Sequence, residues 1–150
     1  MATMAADLKK QTVDQSGVEV LRWKTRIALL WLIHMANFAA YLILSSMEPN
    51  AIAARQSGTA QVVTDASRLS IVFLFCVPWL IAWLSLTLKD TASRWTNFVV
   101  GILFTVLLVG TLISAQARGA SVALRFNIFT GCAVALLTVW YAWKWPKQQG

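Results

Sequence analysis

The sequence predicts an all-α integral membrane protein, a bundle of four transmembrane helices running up, down, up and down. Two observations predict it. The chain is 58% hydrophobic and 13% charged, with a mean hydropathy of +0.63, a composition outside the range of soluble globular domains. The charges are also segregated: the windows 27–47, 69–88, 98–115 and 126–143 hold 21, 20, 18 and 18 residues without one Asp, Glu, Lys or Arg. A helix rising ~1.5 Å per residue needs roughly 20 residues to cross a ~30 Å hydrocarbon core, with about 17 to 25 as the working range. Loops and open strands would leave backbone N–H and C=O groups unpaired in lipid, and the runs do not alternate as barrel strands do.

The elements follow in order. Residues 1–26 read as a cytoplasmic tail, small and polar to Gly17, with a short interfacial helix over 18–26 that places Trp23 at headgroup depth. They are too long and too polar for a cleavable leader, so the first apolar run is expected to stay as an anchor. The transmembrane domain spans 27–145. Its longest connection, from Glu48 to Ser67, carries Pro49, Asn50 and Gly58 and reads as a loop without a core of its own. The turns 89–97 and 116–125 are short, which makes the helices they join antiparallel neighbours. Residues 146–150 form a second cytoplasmic tail.

Orientation follows from the thirteen basic residues. The side holding the N-terminus, the 89–97 turn and the C-terminus carries nine. The other carries four: Arg55, Arg68, Arg118 and Arg125. Basic residues accumulate on the cytoplasmic side, so both ends are expected inside, in a cell membrane. The net charge of +7 is explained by that rule, and nucleic acid is not expected as a partner. Trp23, Trp95, Trp143 and Trp145, with Trp140 and Tyr141, read as interfacial anchors in contact with membrane lipids. Trp31, Trp79 and Trp83 lie deeper and are expected to pack.

Several chemistries lack their residues. A single histidine, His34, cannot supply bis-histidine haem ligation. Cys76 and Cys132 stand alone on different helices, without the paired spacing of thiol exchange, and read as buried apolar residues. No span holds an acidic partner for His34, so no catalytic constellation, metal site or cofactor is expected. The membrane-embedded Glu on which small multidrug transporters depend is also absent.

What remains is a set of polar and small residues inside the spans. His34, Asn37, Tyr41 and Ser45 recur at steps of 3, 4 and 4, which places them on one face of the first helix. Polar groups in hydrocarbon are costly, so that face is predicted to turn inward, with Asn127 of the fourth span beside it. Such a stripe is either a packing device, a neutral histidine bonded to a neighbouring helix, or the lining of a small ligand cavity. Asn97, Gly101 and Thr105 in the third span, and Asn127, Gly131 and Ala135 in the fourth, form small-residue stripes for close contact, expected to join helices within the monomer. Pro78 removes one backbone donor from the second span and predicts a kink or gap.

The run Val139-Trp140-Tyr141-Ala142-Trp143-Lys144-Trp145-Pro146, with Arg94-Trp95-Thr96-Asn97 and Gly101, Leu30-Trp31, and Pro78 followed by Leu84-Ser85 and Leu88, resembles a bacterial family of small four-helix membrane proteins of unknown function. The resemblance covers roughly residues 27–146. It implies a four-span protein of the bacterial inner membrane and confers no active site. Members often place acidic residues at two span positions that match Cys76 and Gly131 here, which leaves the polar load on His34, Asn37 and Asn127.

These readings predict a non-enzymatic accessory or structural subunit, with a membrane protein partner or a second copy of itself. The alternative is a small transporter or channel for a proton, cation or lipophilic solute along the polar face of the first span. A reporter fused to the C-terminus tests the orientation. A fluorescent protein that folds only in the cytosol should be bright there and a periplasmic phosphatase inactive, and the reverse pair would invert the topology.

Overall fold

The computed structural model describes residues 2–59 and 64–145, with side chains from Gly17 onward except at 66, 67 and 70. The described residues form five helices and no strand: α1 (Ala2–Ser46), α2 (Pro49–Gln56), α3 (Asp65–Thr87), α4 (Asp90–Ala117) and α5 (Val122–Trp143). Among them Gly17–Ser46, Asp90–Ala117 and Val122–Trp143 are long and apolar enough to cross a membrane, and Ile71–Thr87 is apolar over a shorter length. The C-terminal tail lies outside the described residues.

Two boundaries differ from expectation. The first 26 residues are not a tail followed by a separate short helix, because α1 runs 45 residues without a break. Half of the residues before Gly17 are Ala, Leu, Lys or Gln, which are good helix formers, and one internal glycine costs only ~1 kcal/mol. The long connection also holds structure of its own, the two-turn helix α2. Pro49 occupies its first position, where a missing N–H costs nothing and the fixed φ suits a helix.

The helices pack as a ring of neighbours in which α1 lies against both α3 and α5, α4 lies against α5, and α3 touches α4 lightly. Short connections hold this arrangement. At the α4–α5 turn Ala120 N–H donates to the Ala115 carbonyl at 3.0 Å and Gly119 N–H to Gln116 at 3.1 Å. That pairing closes a helix end only when the intervening residue is left-handed, and Gly119 supplies φ +65°. Ser121 then caps α5 by accepting from Leu124 N–H.

Two apolar clusters fill the interior. One gathers Val20, Ile27, Trp31, Ile81, Phe104 and Trp145, the other Ala115, Leu124, Ile128 and Cys132 with Tyr41 and Leu108 at its edge. Trp31 is packed as expected, at 2% exposure, whereas Trp79 and Trp83 point outward from α3 at 56% and 58%. Trp145 goes the other way. Expected as an exposed anchor, it is 4% exposed and sits in the first cluster with Val20, Ile27 and Trp31 of α1. Trp23, Trp95 and Trp143 keep exposed or half-exposed rings. Trp23 meets Tyr141 edge-on at 5.2 Å, and Phe98 lies between Trp95 and Trp143.

The glycine stripes join α4 and α5 to their neighbours within the chain. A Cβ on Gly101 would meet Val139 Cγ2 at 2.8 Å, and one on Gly131 would meet Asn37 Nδ2 at 2.7 Å. Ala135 is buried on the same face of α5, while half-buried Thr105 bonds back to the Gly101 carbonyl at 2.7 Å instead of crossing to a neighbour.

Polar ties lock the turn between α3 and α4. Asn97 is fully buried, and its Oδ1 accepts from Trp31 Nε1 at 2.7 Å with the Ser85 hydroxyl 3.0 Å away. Its Nδ2 donates to the Ser93 carbonyl at 2.7 Å, and Ser93 Oγ donates to the Ser85 carbonyl at 3.1 Å. One turn further out, Lys24 donates to the Leu88 carbonyl at 2.8 Å and pairs with Asp90 at 2.9 Å. The cation therefore meets the C-terminal end of α3 and the acidic first turn of α4 together, the favourable sign at each helix end.

Asn97→Leu keeps the volume but orphans Trp31 Nε1. A buried donor left alone costs ~1–3 kcal/mol and interhelical bonds in membranes average ~0.6 kcal/mol, so a loss of about 2 kcal/mol is expected in a denaturing-detergent titration. An unchanged midpoint would mean that the network contributes nothing to stability.

Candidate functional site

Between the two apolar clusters lies a cavity of ≈ 170 Å³. Its polar lining is His34, Asn37 and Tyr41 from α1, Thr111 from α4 and Asn127 from α5, and Phe38, Leu74, Phe104, Leu108 and Ile128 are among its apolar walls. The structure thus brings together all four residues expected to face a polar interior. The helical period explains the three from α1, since steps of 3 and 4 stay on one face. The fourth arrives because α5 packs closely on α1 at Gly131.

His34 is 5% exposed and lies edge-on to two rings, Trp31 at 5.8 Å and Phe104 at 5.1 Å. Its Nδ1 is buried without a hydrogen-bond partner. Asn127 Nδ2 donates to Asn37 Oδ1 at 3.1 Å, which ties α5 to α1 across the cavity wall. Asn127 Oδ1 is left buried and unpartnered. Two unsatisfied polar atoms in one small cavity are unusual, because each costs ~1–3 kcal/mol when desolvated. By contrast Tyr41 stacks on Phe38 at 6.2 Å and is only half-buried.

Among the described residues no Asp, Glu, Lys or Arg lines the cavity. The lining can hold a neutral polar group by hydrogen bonds and surround an apolar body, but it presents neither a nucleophile paired with a base nor a charge for an ion. Among the described residues no three His, Cys, Asp or Glu side chains come together as metal ligands. Cys132 is buried as expected, whereas Cys76 is exposed on the outer face of α3. A residue at mid-length on a peripheral helix can face outward as easily as inward, and one cysteine carries no periodicity to tell which.

A second polar cluster closes the end of the molecule beyond Tyr41. The stripe on α1 continues through Ser45 to Glu48, whose carboxylate accepts from both the Ser121 hydroxyl and, at 3.0 Å, the Ser121 N–H. Glu48 stands at the N-cap position of α2 without capping it, because its side chain is committed to α5. From the sequence Glu48 is only the first residue of the connection expected to be a loop. Its signal was the step of three from Ser45, which keeps it in register with the inward face.

No protein-family model, curated protein or solved structure matches the chain.

The Ser121 hydroxyl and N–H, with Arg125 nearby, hold the Glu48 carboxyl below its ordinary value of 4.5 against partial desolvation. A carboxyl depressed in the folded state contributes stability above its unfolded pKa and loses it as pH falls through the folded value. Wild-type stability should therefore drop on acidification below about pH 4.5, and Glu48→Gln should flatten that part of the profile. Identical profiles for the two proteins would show that the Ser121 contact does not prefer the ionised form.

Proposed function

We propose that this chain is a four-span membrane protein with both termini in the cytoplasm, and that its central cavity binds a small neutral solute without catalysis, as a carrier or channel does. The observation that carries the reading is the convergence of His34, Asn37, Tyr41 and Asn127 on one cavity. Of the four buried side-chain atoms without a partner among the described residues, two, His34 Nδ1 and Asn127 Oδ1, belong to this one cavity, whereas the Asn97 network is satisfied. The absence of charge in the lining favours a neutral solute over an ion.

Support for four crossings comes from the ends of the helices. Lys24 meets Leu88 and Asp90 at one end of the bundle, and Glu48 meets Ser121 at the other. The charge-free window 69–88 is long enough to span once residues before Ile71 are counted. The excess of basic residues on the side of Lys24 supports the orientation. Placement in a bacterial inner membrane rests on the family resemblance.

A second reading, an accessory subunit of a larger assembly, is favoured by α3, which packs on α1 but touches α4 lightly and turns Phe73, Trp79 and Trp83 outward. Purification in mild detergent separates the two, since an accessory subunit brings a stoichiometric partner with it.

Reconstituted in liposomes, the protein should admit small neutral solutes in a swelling assay. His34→Ala and Asn127→Ala should each change the rate by about tenfold, the equivalent of one hydrogen bond at ~1.4 kcal/mol. Equal rates for wild type, variants and empty liposomes would sink the solute-binding reading.

A further inference from the structure

We propose that the cavity is a binding site for a six-membered ring bearing a hydroxyl group, carried by a lipophilic molecule that enters sideways from the bilayer between α3 and α4. The proposal rests on the reading of the cavity as a ligand site and adds the chemistry of the ligand and its route.

Size sets the first limit. The cavity measures ≈ 170 Å³, below the ~300–1,000 Å³ of sites that enclose a drug-sized ligand. It is close to the ~150 Å³ of an apolar cavity that takes up benzene. One ring fits, and anything attached to it must lie outside.

Chemistry sets the second. Phe38, Phe104, Leu108 and Ile128 offer apolar and aromatic surface to a ring, and the lining carries no charge to meet an ionised head. The unpartnered Asn127 Oδ1 is an acceptor and requires a donor. The unpartnered His34 Nδ1 is a donor or an acceptor according to tautomer. A hydroxyl serves either atom in either state, whereas an ether or ketone cannot donate to Asn127.

The route is marked by exposure. Near their turn α3 and α4 are held together by the Ser85, Ser93 and Asn97 bonds. Beyond it they separate: Leu107 lines the cavity yet is 55% exposed. Leu74 lines the cavity and also an open outer groove with Phe73 and Cys76. The mouth therefore lies between Leu74 and Leu107, and its surroundings are apolar. Pro78, four residues after Leu74, has no N–H to give the Leu74 carbonyl, which leaves α3 less constrained there. An apolar tail attached to the ring would leave through this mouth and lie along the groove.

The test uses the intact protein in lipid nanodiscs with two probes of equal tail, 4-hexylphenol and 4-hexylanisole, and subtracts uptake by empty nanodiscs. The phenol is expected to saturate at one per chain and to bind about tenfold tighter than the anisole, the equivalent of one hydrogen bond. Asn127→Leu should erase that preference, and Leu74→Trp should slow association by several-fold by narrowing the mouth. Equal binding of the two probes would overturn recognition of the hydroxyl while leaving the cavity a ligand site. Absence of saturable binding, with solute flux still dependent on His34, would overturn the ring and keep the solute reading; absence of both would remove both.

Discussion

Asn97 is a side chain with four hydrogen-bonding capacities placed where no water can fill them. A buried amide in that position must find protein partners or shift the helices until it does. It finds them on three elements: Trp31 on α1, Ser85 on α3 and Ser93 on its own helix. The bond to Trp31 is the most consequential, because α1 and α4 lie on opposite corners of the ring of helices. Fixing Trp31 fixes the rotation of α1. Three residues on, His34 is then held edge-on between Trp31 and Phe104, and Asn37 is brought against Asn127 one turn further. The cavity is thus a consequence of a polar constraint set outside it.

The two ends of the bundle are closed by charges and the middle is not. Lys24 bridges the end of α3 and the start of α4, and Glu48 anchors the far end of α1 to the cap of α5. Between these locks α5 packs on α4 and α1 through Gly101 and Gly131, where any side chain would collide. Among its described residues helix α3 has no such feature beyond Ser85. It approaches α4 only where the turn requires, and its residues Leu69, Val72 and Phe73 stay exposed. In a bilayer that costs little, because lipid tails are as apolar as the neighbouring helices and no hydrophobic force drives α3 and α4 together. The opening at Leu74 follows from the absence of anything to close it.

Much of this was legible in the sequence, and the reason is periodicity. Steps of 3 and 4 assign His34, Asn37 and Tyr41 to one face, and in an apolar helix a polar face has only one direction to point. Gly101 and Gly131 were recognisable because only the smallest residue permits such contact. Periodicity does not, however, identify the partner across the gap. Ser85 and Ser93 carry no pattern of their own, and their part appears only once α3 and α4 are set side by side. Glu48 was hidden by its position next to a proline and an asparagine, where a solvated loop is the simpler reading. Trp79 and Trp83 failed for the opposite reason: a large ring at mid-helix is as comfortable against lipid as against protein. The unbroken length of α1 was missed because a polar amphipathic stretch and an apolar one can share a single helix without a boundary signal.

The contrast between the two polar networks bears on function more than either does alone. Around Asn97 the amide has its partners, which is what packing for stability produces. In the cavity, His34 Nδ1 on α1 and Asn127 Oδ1 on α5 have none. Arg125 Nε and Trp145 Nε1 are also buried without partners, away from the cavity, so what marks the site is that two such atoms share one small cavity. Natural proteins tolerate local costs of this kind where a site must remain available to something else. The position of the cost also matters. For His34 and Asn127 it falls beside the region where α3 stands away from α4, so these two groups are ones that a molecule arriving from the bilayer can reach.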